Sequence, residues 1–280
     1  CCDFLMELDT QTLVLLVSGL IGAGLFAGVL AGLLGVGGGI VLVPVLFELF
    51  GVIGVDDEVR MHCAVGTSLA TIIATSLSSI RAHKKRGSVD FTIVKLWAPW
   101  IAIGAIVGGV IARYLPSEGL TGLFAFLALF VAAHMAFSPE HKVLRQGVPG
   151  PVGSAGIGSV IGIISSLMGI GGGTLSVPTM VMCAVPPRVA VGTSSAIGLV
   201  IAIFGACSFA ANGFGAEGLP VGSIGYVNLV GFALIVPLTM LAAPWGAHLA
   251  HVLPTQRLKQ AFSFFLLIVA IRMIYKLVTG

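Results

Sequence analysis

Long apolar runs broken by short polar or glycine-rich stretches dominate this chain. The pattern predicts ten helical segments, at approximately 12–34, 39–53, 61–81, 91–113, 118–137, 152–168, 173–185, 188–211, 224–250 and 256–278. All are read as helices, because a hydrocarbon environment leaves backbone polar groups few other partners. The second and seventh are short, and each follows a glycine cluster. Neither reaches the ~20 apolar residues that one crossing requires.

The ten segments are five, read twice. Gly32-Leu33-Leu34-Gly35-Val36-Gly37-Gly38-Gly39-Ile40-Val41-Leu42-Val43-Pro44 matches Ser166-Leu167-Met168-Gly169-Ile170-Gly171-Gly172-Gly173-Thr174-Leu175-Ser176-Val177-Pro178. Ala64-Val65-Gly66-Thr67-Ser68 returns as Ala190-Val191-Gly192-Thr193-Ser194. Phe124, Phe126, Val131 and Met135 align with Phe262, Phe264, Val269 and Met273. Matched blocks in one order imply a duplication, with residues 1–140 as one repeat, 141–150 as a connector and 151–280 as the second.

Composition sharpens the class. The 280 residues are 57% hydrophobic and 9% charged, and their mean hydropathy is +1.10. Soluble domains carry roughly a quarter charged residues, so the fold class is an all-α polytopic membrane protein with the lipid bilayer as its solvent. The net charge of +3 comes from loops. No basic face runs along a helix, so no nucleic-acid partner is expected. The five cysteines have the spacing of neither a metal site nor a disulfide framework. No metal or other cofactor is expected. The sequence gives no oligomeric state. A disordered start at Cys1-Cys2 fits better than a lipoprotein-type terminus, and the run from Leu13 to Leu34 is too long for a signal-peptide core.

Charge sets how the halves relate, because short cytoplasmic loops collect Lys and Arg. Arg81-Ala82-His83-Lys84-Lys85-Arg86 reads inside, while its counterpart from Asn212 to Gly222 holds Glu217 and reads outside. Asp56-Asp57-Glu58 reads outside against Arg188 in the matching loop. Arg257 and Lys259 read inside against Glu118. The connector, with Lys142 and Arg145, is inside. Equivalent loops fall on opposite faces, so the repeats are inverted. Inversion needs an odd number of crossings per repeat. The first two segments of each half then form a re-entrant hairpin, or cross together twice. Either way Gly35–Gly39 and Gly169–Gly173 are hairpin tips approaching from opposite faces. Both termini come out externally, which suits Asp3, Glu7 and Asp9 but not Arg272 and Lys276.

Inverted repeats with interrupted helices characterise secondary transporters, whose substrates bind near the midplane. The tips suit an anion. Glycines expose backbone, and the first N–H groups of the next helix lack intrahelical partners. Candidate contacts are Gly35, Gly37, Gly38, Gly39 and Ile40, with Gly169, Gly171, Gly172, Gly173 and Thr174. The hydroxyls of Thr67, Ser68, Thr193 and Ser194 are candidate donors to the same anion. The competing readings are close helix packing for the glycines and back-bonding to helix carbonyls for the hydroxyls. The eleven acidic residues fall in loops, termini or at a segment's first residue, except Glu48 near the end of the second segment. Cation carriers and proton relays place carboxylates within the membrane, so a small anionic substrate fits better. His62, His134, His248 and His251 read as packing or interfacial residues, and Trp97, Trp100 and Trp245 as interface anchors.

The paired blocks Gly35-Val36-Gly37-Gly38-Gly39…Pro44 and Gly169-Ile170-Gly171-Gly172-Gly173…Pro178, each followed by Ala-Val-Gly-Thr-Ser, resemble the TauE/SafE sulfite exporter family, also called the toluene sulfonate uptake permeases. The likeness covers essentially the whole chain. It implies a carrier of sulfite, sulfonates, sulfoacetate or related anions in a cytoplasmic membrane, with the glycine motifs and Thr-Ser pairs as functional positions. Sulfur is implied by the resemblance alone.

The reading is therefore a non-enzymatic, alternating-access transporter of a small sulfur-containing oxyanion. A passive anion channel or a carboxylate carrier of the same fold stays open. An intramembrane enzyme fits less well, because no His-Glu-x-x-His run, Gly-x-Ser-x-Gly elbow or paired intramembrane carboxylates occur. A subunit or scaffold without transport of its own is the last alternative.

Overall fold

A computed structural model describes residues 10–34, 37–137, 145–252 and 255–279. Cys1, Cys2, Gly35 and Val36 lie outside the described residues. Among the described residues ten helices follow one another: α1 Thr10–Leu34, α2 Gly39–Val52, α3 Asp57–Lys84, α4 Phe91–Tyr114, α5 Ser117–Phe137, α6 Pro151–Leu167, α7 Gly173–Met182, α8 Pro187–Asn212, α9 Leu229–Val252 and α10 Thr255–Thr279. The described residues form an all-α fold. Among the described residues α3, α4, α8 and most of α9 are long and apolar enough to cross a bilayer.

The helix ends follow local chemistry. Asp56 and Asp90 cap α3 and α4, accepting the N–H of Glu58 at 3.0 Å and of Thr92 at 2.8 Å. Pro151 and Pro187 open α6 and α8 at positions where a missing N–H costs nothing. With 14 and 10 residues, α2 and α7 are roughly 21 and 15 Å long at about 1.5 Å per residue. Neither reaches across a hydrocarbon layer of about 30 Å.

One element departs from the all-helical expectation. The segment expected to begin at 224 opens instead with a two-stranded hairpin, β1 Ser223–Ile224 against β2 Val227–Asn228. Asn228 is the reason. Its amide nitrogen donates to Val221 O and Ser223 Oγ, and its Oδ1 accepts the N–H of Gly231 at 2.8 Å. That last bond is an N-terminal cap, so α9 starts immediately after it.

Packing repeats across the halves. Helix α1 lies on α9 as α6 lies on α4, and α3 meets α9 as α8 meets α4. The pairs α3–α8 and α5–α10 join equivalent helices. Glycines permit the closest approaches. A side chain at Gly28 would strike Thr239 O, and one at the matching Gly162 would strike Ile101 O. The same holds for Gly246 against Val29 O and Gly108 against Ile163 O.

The core holds Trp97, Phe50, Phe124 and Phe209, all fully buried. Trp97 therefore does not anchor the chain at an interface as expected. The close α4–α6 approach covers it, whereas Trp100 and Trp245 are exposed. Outward faces are apolar, as lipid contact requires: Ile103 and Val107 on α4, Leu241 on α9 and Ile268 and Ile271 on α10 are all exposed. Arg272 and Lys276, awkward for an external C-terminus, both reach Glu48 of α2, at 3.1 and 3.3 Å.

Candidate functional site

The two glycine turns meet in the protein interior. Gly37, Gly38 and Gly39 are buried, as are all five residues Gly169–Gly173. A Cβ placed on Gly37 would lie 3.3 Å from Gly171 Cα, and one on Gly39 would strike Gly169 O. Ile72 of α3 packs over both Gly37 and Gly39. Across the junction Ser68 Oγ donates to Gly169 O at 2.8 Å. Residues 101 positions apart are thus joined at the point where the two halves touch.

Each short helix begins the same way. Gly38 precedes α2 with φ 78° and ψ −5°, and Gly172 precedes α7 with φ 67° and ψ −20°. Both are left-handed, a conformation that costs a residue with a Cβ about 1–2 kcal/mol. Gly38 O accepts from Val41 and Leu42, and Gly172 O accepts from Leu175 and Ser176. These bonds close the first turn and place each helix start at the junction, where partial positive charge collects; the Gly173 N–H donates to Gly171 O at 2.7 Å. Among the described residues Thr174 N–H donates to no backbone carbonyl outside its helix. Pro44 and Pro178 sit five residues beyond these turns, inside α2 and α7.

The hydroxyls do not converge on one point. Thr67 Oγ1 accepts the N–H of Asn228 at 2.9 Å, and Thr193 Oγ1 accepts that of Asp90 at 2.9 Å. Asn228 and Asp90 immediately precede the equivalent helices α9 and α4. Each threonine therefore ties its own half to a helix start in the other. Gly66 and Gly192, one residue earlier, lie against the backbone oxygens of Tyr226 and Ser88. Ser194 Oγ donates to Val191 O at 2.8 Å, three residues back. Ile40 is fully buried and Thr174 is half-buried. Gly35 lies outside the described residues.

Two residues that sequence reasoning missed flank the second turn. Ser165 is in the last turn of α6 and Ser176 in the first turn of α7. Both are buried, and neither hydroxyl has a hydrogen-bond partner. An unpartnered buried hydroxyl costs about 1–3 kcal/mol, which a polar ligand would offset. The alignment holds the signal, since the matching positions are Ala31 and Leu42.

His62 is held in place by backbone oxygens. His62 Nε2 lies 2.9 Å from Ala112 O and 3.1 Å from Leu115 O, at the end of α4. Both partners only accept, so this nitrogen carries the proton. The ring stacks against Tyr226 at 4.9 Å between centroids. Among the described residues no three of His, Cys, Asp and Glu gather closely enough to hold a metal ion.

Sequence comparison adds the context. The profile of the family described as "Sulfite exporter TauE/SafE" matches residues 20–273. A "Probable membrane transporter protein" of Haemophilus influenzae is 34% identical over 253 residues, covering 90% of this chain and 96% of that protein. "Probable membrane transporter protein YunE" of Bacillus subtilis is 27% identical over 272 residues, covering 90% and 95%. "Probable membrane transporter protein MJ0441" of Methanocaldococcus jannaschii is 29% identical over 248 residues, covering 85% of each. No solved structure matches.

Proposed function

The chain belongs to the TauE/SafE sulfite exporter family, and we propose that it carries a small sulfur-containing oxyanion, of the sulfite, sulfonate or sulfoacetate type, across the cytoplasmic membrane by alternating access. The observation that carries this reading is the buried meeting of two glycine-capped helix starts, flanked by the unpartnered hydroxyls of Ser165 and Ser176. Helix N-termini offer an anion N–H donors and partial positive charge without a lysine or arginine. An anion lodged there would take donors from both halves at once.

The halves act as inverted repeats in this scheme. Supporting it are the opposed loop charges and the exchange of contacts between α1–α9 and α6–α4. The short α2 and α7 return to the face they entered from, so each half crosses three times and both termini lie outside. The tips touch here, so the arrangement corresponds to a closed stage of the cycle. Rocking one half against the other parts the tips toward one face and then the other. Ser68 stands beside the tips, while Thr67 and Thr193 hold the helices that frame them.

Proteoliposomes test this directly. Labelled sulfite and small sulfonates should accumulate with saturation, and unlabelled substrate on the opposite side should accelerate exchange. Gly38→Val and Gly172→Val should each abolish the flux. Saturable entry without trans-acceleration identifies a channel. Flux of none of these anions, or unchanged rates in both variants, refutes the assignment.

A further inference from the structure

A second polar feature lies away from the glycine junction, where the C-terminal end of α3 meets α9. A cavity of about 360 Å³ is lined by Ser78, Arg81, Ala82, Lys85, Arg86 and Pro244. Arg81 and Lys85 are one helical turn apart and share a face. Among the described residues none of the three cations pairs with a carboxylate. Lys84 is not part of the cluster, since its ammonium sits 5.8 Å from the centroid of the Phe91 ring. The dipole of α3 accounts for about half a negative charge at this end, far short of three cations.

The walls are fixed. Pro244 has no N–H, so Met240 O has lost its helical donor. Ser78 Oγ supplies the replacement at 3.0 Å and ties α3 to α9 beside the cavity. On the other rim Arg86 Nη2 donates to His248 Nδ1 at 3.3 Å, again on α9. A topogenic charge cluster needs only to sit in a loop. These cations instead line one open cavity between α3 and α9.

The surroundings say what fills it. Leu77 precedes Ser78 and is 39% exposed. Leu241 and Trp245, flanking Pro244 on α9, are 70% and 74% exposed. Within one turn the surface passes from three cations without a carboxylate partner to bare apolar side chains. A free anion would use only the first part. We propose that this cavity binds the headgroup of an anionic phospholipid, its phosphodiester held by Arg81, Lys85 and Arg86 and its acyl chains lying along Leu77, Leu241 and Trp245. The site is independent of the transport reading, because nothing at the glycine junction contributes to it.

Native mass spectrometry of the full chain, paired with thermal unfolding in detergent, tests it. Phosphatidylglycerol should remain bound and raise the unfolding temperature, and phosphatidylcholine should do neither. The Arg81→Gln/Lys85→Gln/Arg86→Gln variant should lose affinity for phosphatidylglycerol by roughly 100-fold, at about fivefold per cation near a bilayer surface. Lys95→Gln/Arg113→Gln, which removes exposed charge elsewhere, should bind it normally. Equal retention of phosphatidylcholine, or an equal loss in the Lys95/Arg113 variant, overturns the site. Full stabilisation by inorganic phosphate alone makes it a small-anion site and also overturns the lipid assignment. Should the triple variant fail to fold, raised salt applied to the unmodified protein decides. Phosphatidylglycerol retention must then fall, and insensitivity to salt refutes the proposal.

Discussion

Gly38 and Gly172 occupy equivalent places with nearly equal backbone angles, yet they should tolerate alanine unequally. The left-handed conformation costs each variant about 1–2 kcal/mol. The surroundings separate them. A Cβ on Gly38 would lie 2.6 Å from Ala27 O, a backbone atom of α1. That helix is itself pressed against α9 through Gly28, so relief means moving two packed helices. Overpacking of this kind costs a further 1–3 kcal/mol or so. A Cβ on Gly172 instead meets Cδ1 of Ile201, the far end of a flexible side chain. A rotamer change there costs about 0.5–1.5 kcal/mol. Gly172→Ala should thus lose about 2.5 kcal/mol and Gly38→Ala about 3.5 kcal/mol. At about 2–4 °C per kcal/mol for a chain of this size, unfolding temperatures in detergent should fall by roughly 5–10 °C and 7–14 °C respectively. Thiol-reactive dye melts on the two purified variants resolve that difference. Equal losses, or a larger loss for Gly172→Ala, would show that the contact with Ala27 does not govern the first tip.

Ser68→Ala leaves Gly169 O without its donor at the junction between halves. The expected loss is about 0.5–2 kcal/mol, read as a lower unfolding temperature that Ser68→Thr partly restores; an unchanged melt would refute the bond's role. Ser165→Ala and Ser176→Ala remove hydroxyls that bond to nothing in the closed structure. Stability should hold or rise, while the substrate concentration for half-maximal flux rises about tenfold for each lost ligand bond. Loss of stability without a change in flux would make both serines structural.

Most of the architecture was legible because its signals are local. Helix starts at 91, 151 and 187 follow from Asp90, Pro151 and Pro187, and helix type follows from apolar length. The hairpin at Ser223–Asn228 escaped notice because Ile224, Tyr226 and Val227 read as part of the apolar run that follows. Only the cap made by Asn228 separates them, and a cap shows itself through its bonds. Trp97 departs from its expected interface position for a different reason. Its helical position is readable, but burial depends on the approach of α6, where Gly158 lies near Trp97 O. The pairing of Glu48 with Arg272 and Lys276 links residues more than 220 positions apart. Nothing in either segment announces the other.

The glycine junction was legible in its backbone and not in its side chains. Duplicated glycines located both tips, because backbone approach demands the same residue in each copy. Matching Thr-Ser pairs suggested matching ligand roles, but duplication preserves any shared function, including structural ones. Thr67 and Thr193 make one and the same bond to opposite helix starts, which is what a symmetric scaffold needs. Ligand chemistry is better sought where the copies differ. Around the tips Ala31, Ile40 and Leu42 in the first half correspond to Ser165, Thr174 and Ser176 in the second. Two apolar tips would close on one another without a guest. One apolar and one polar tip leave unmet hydrogen-bonding capacity on a single side. Under the proposed cycle the anion therefore stays with α6 and α7, and the first half supplies the surface that opens and closes over it.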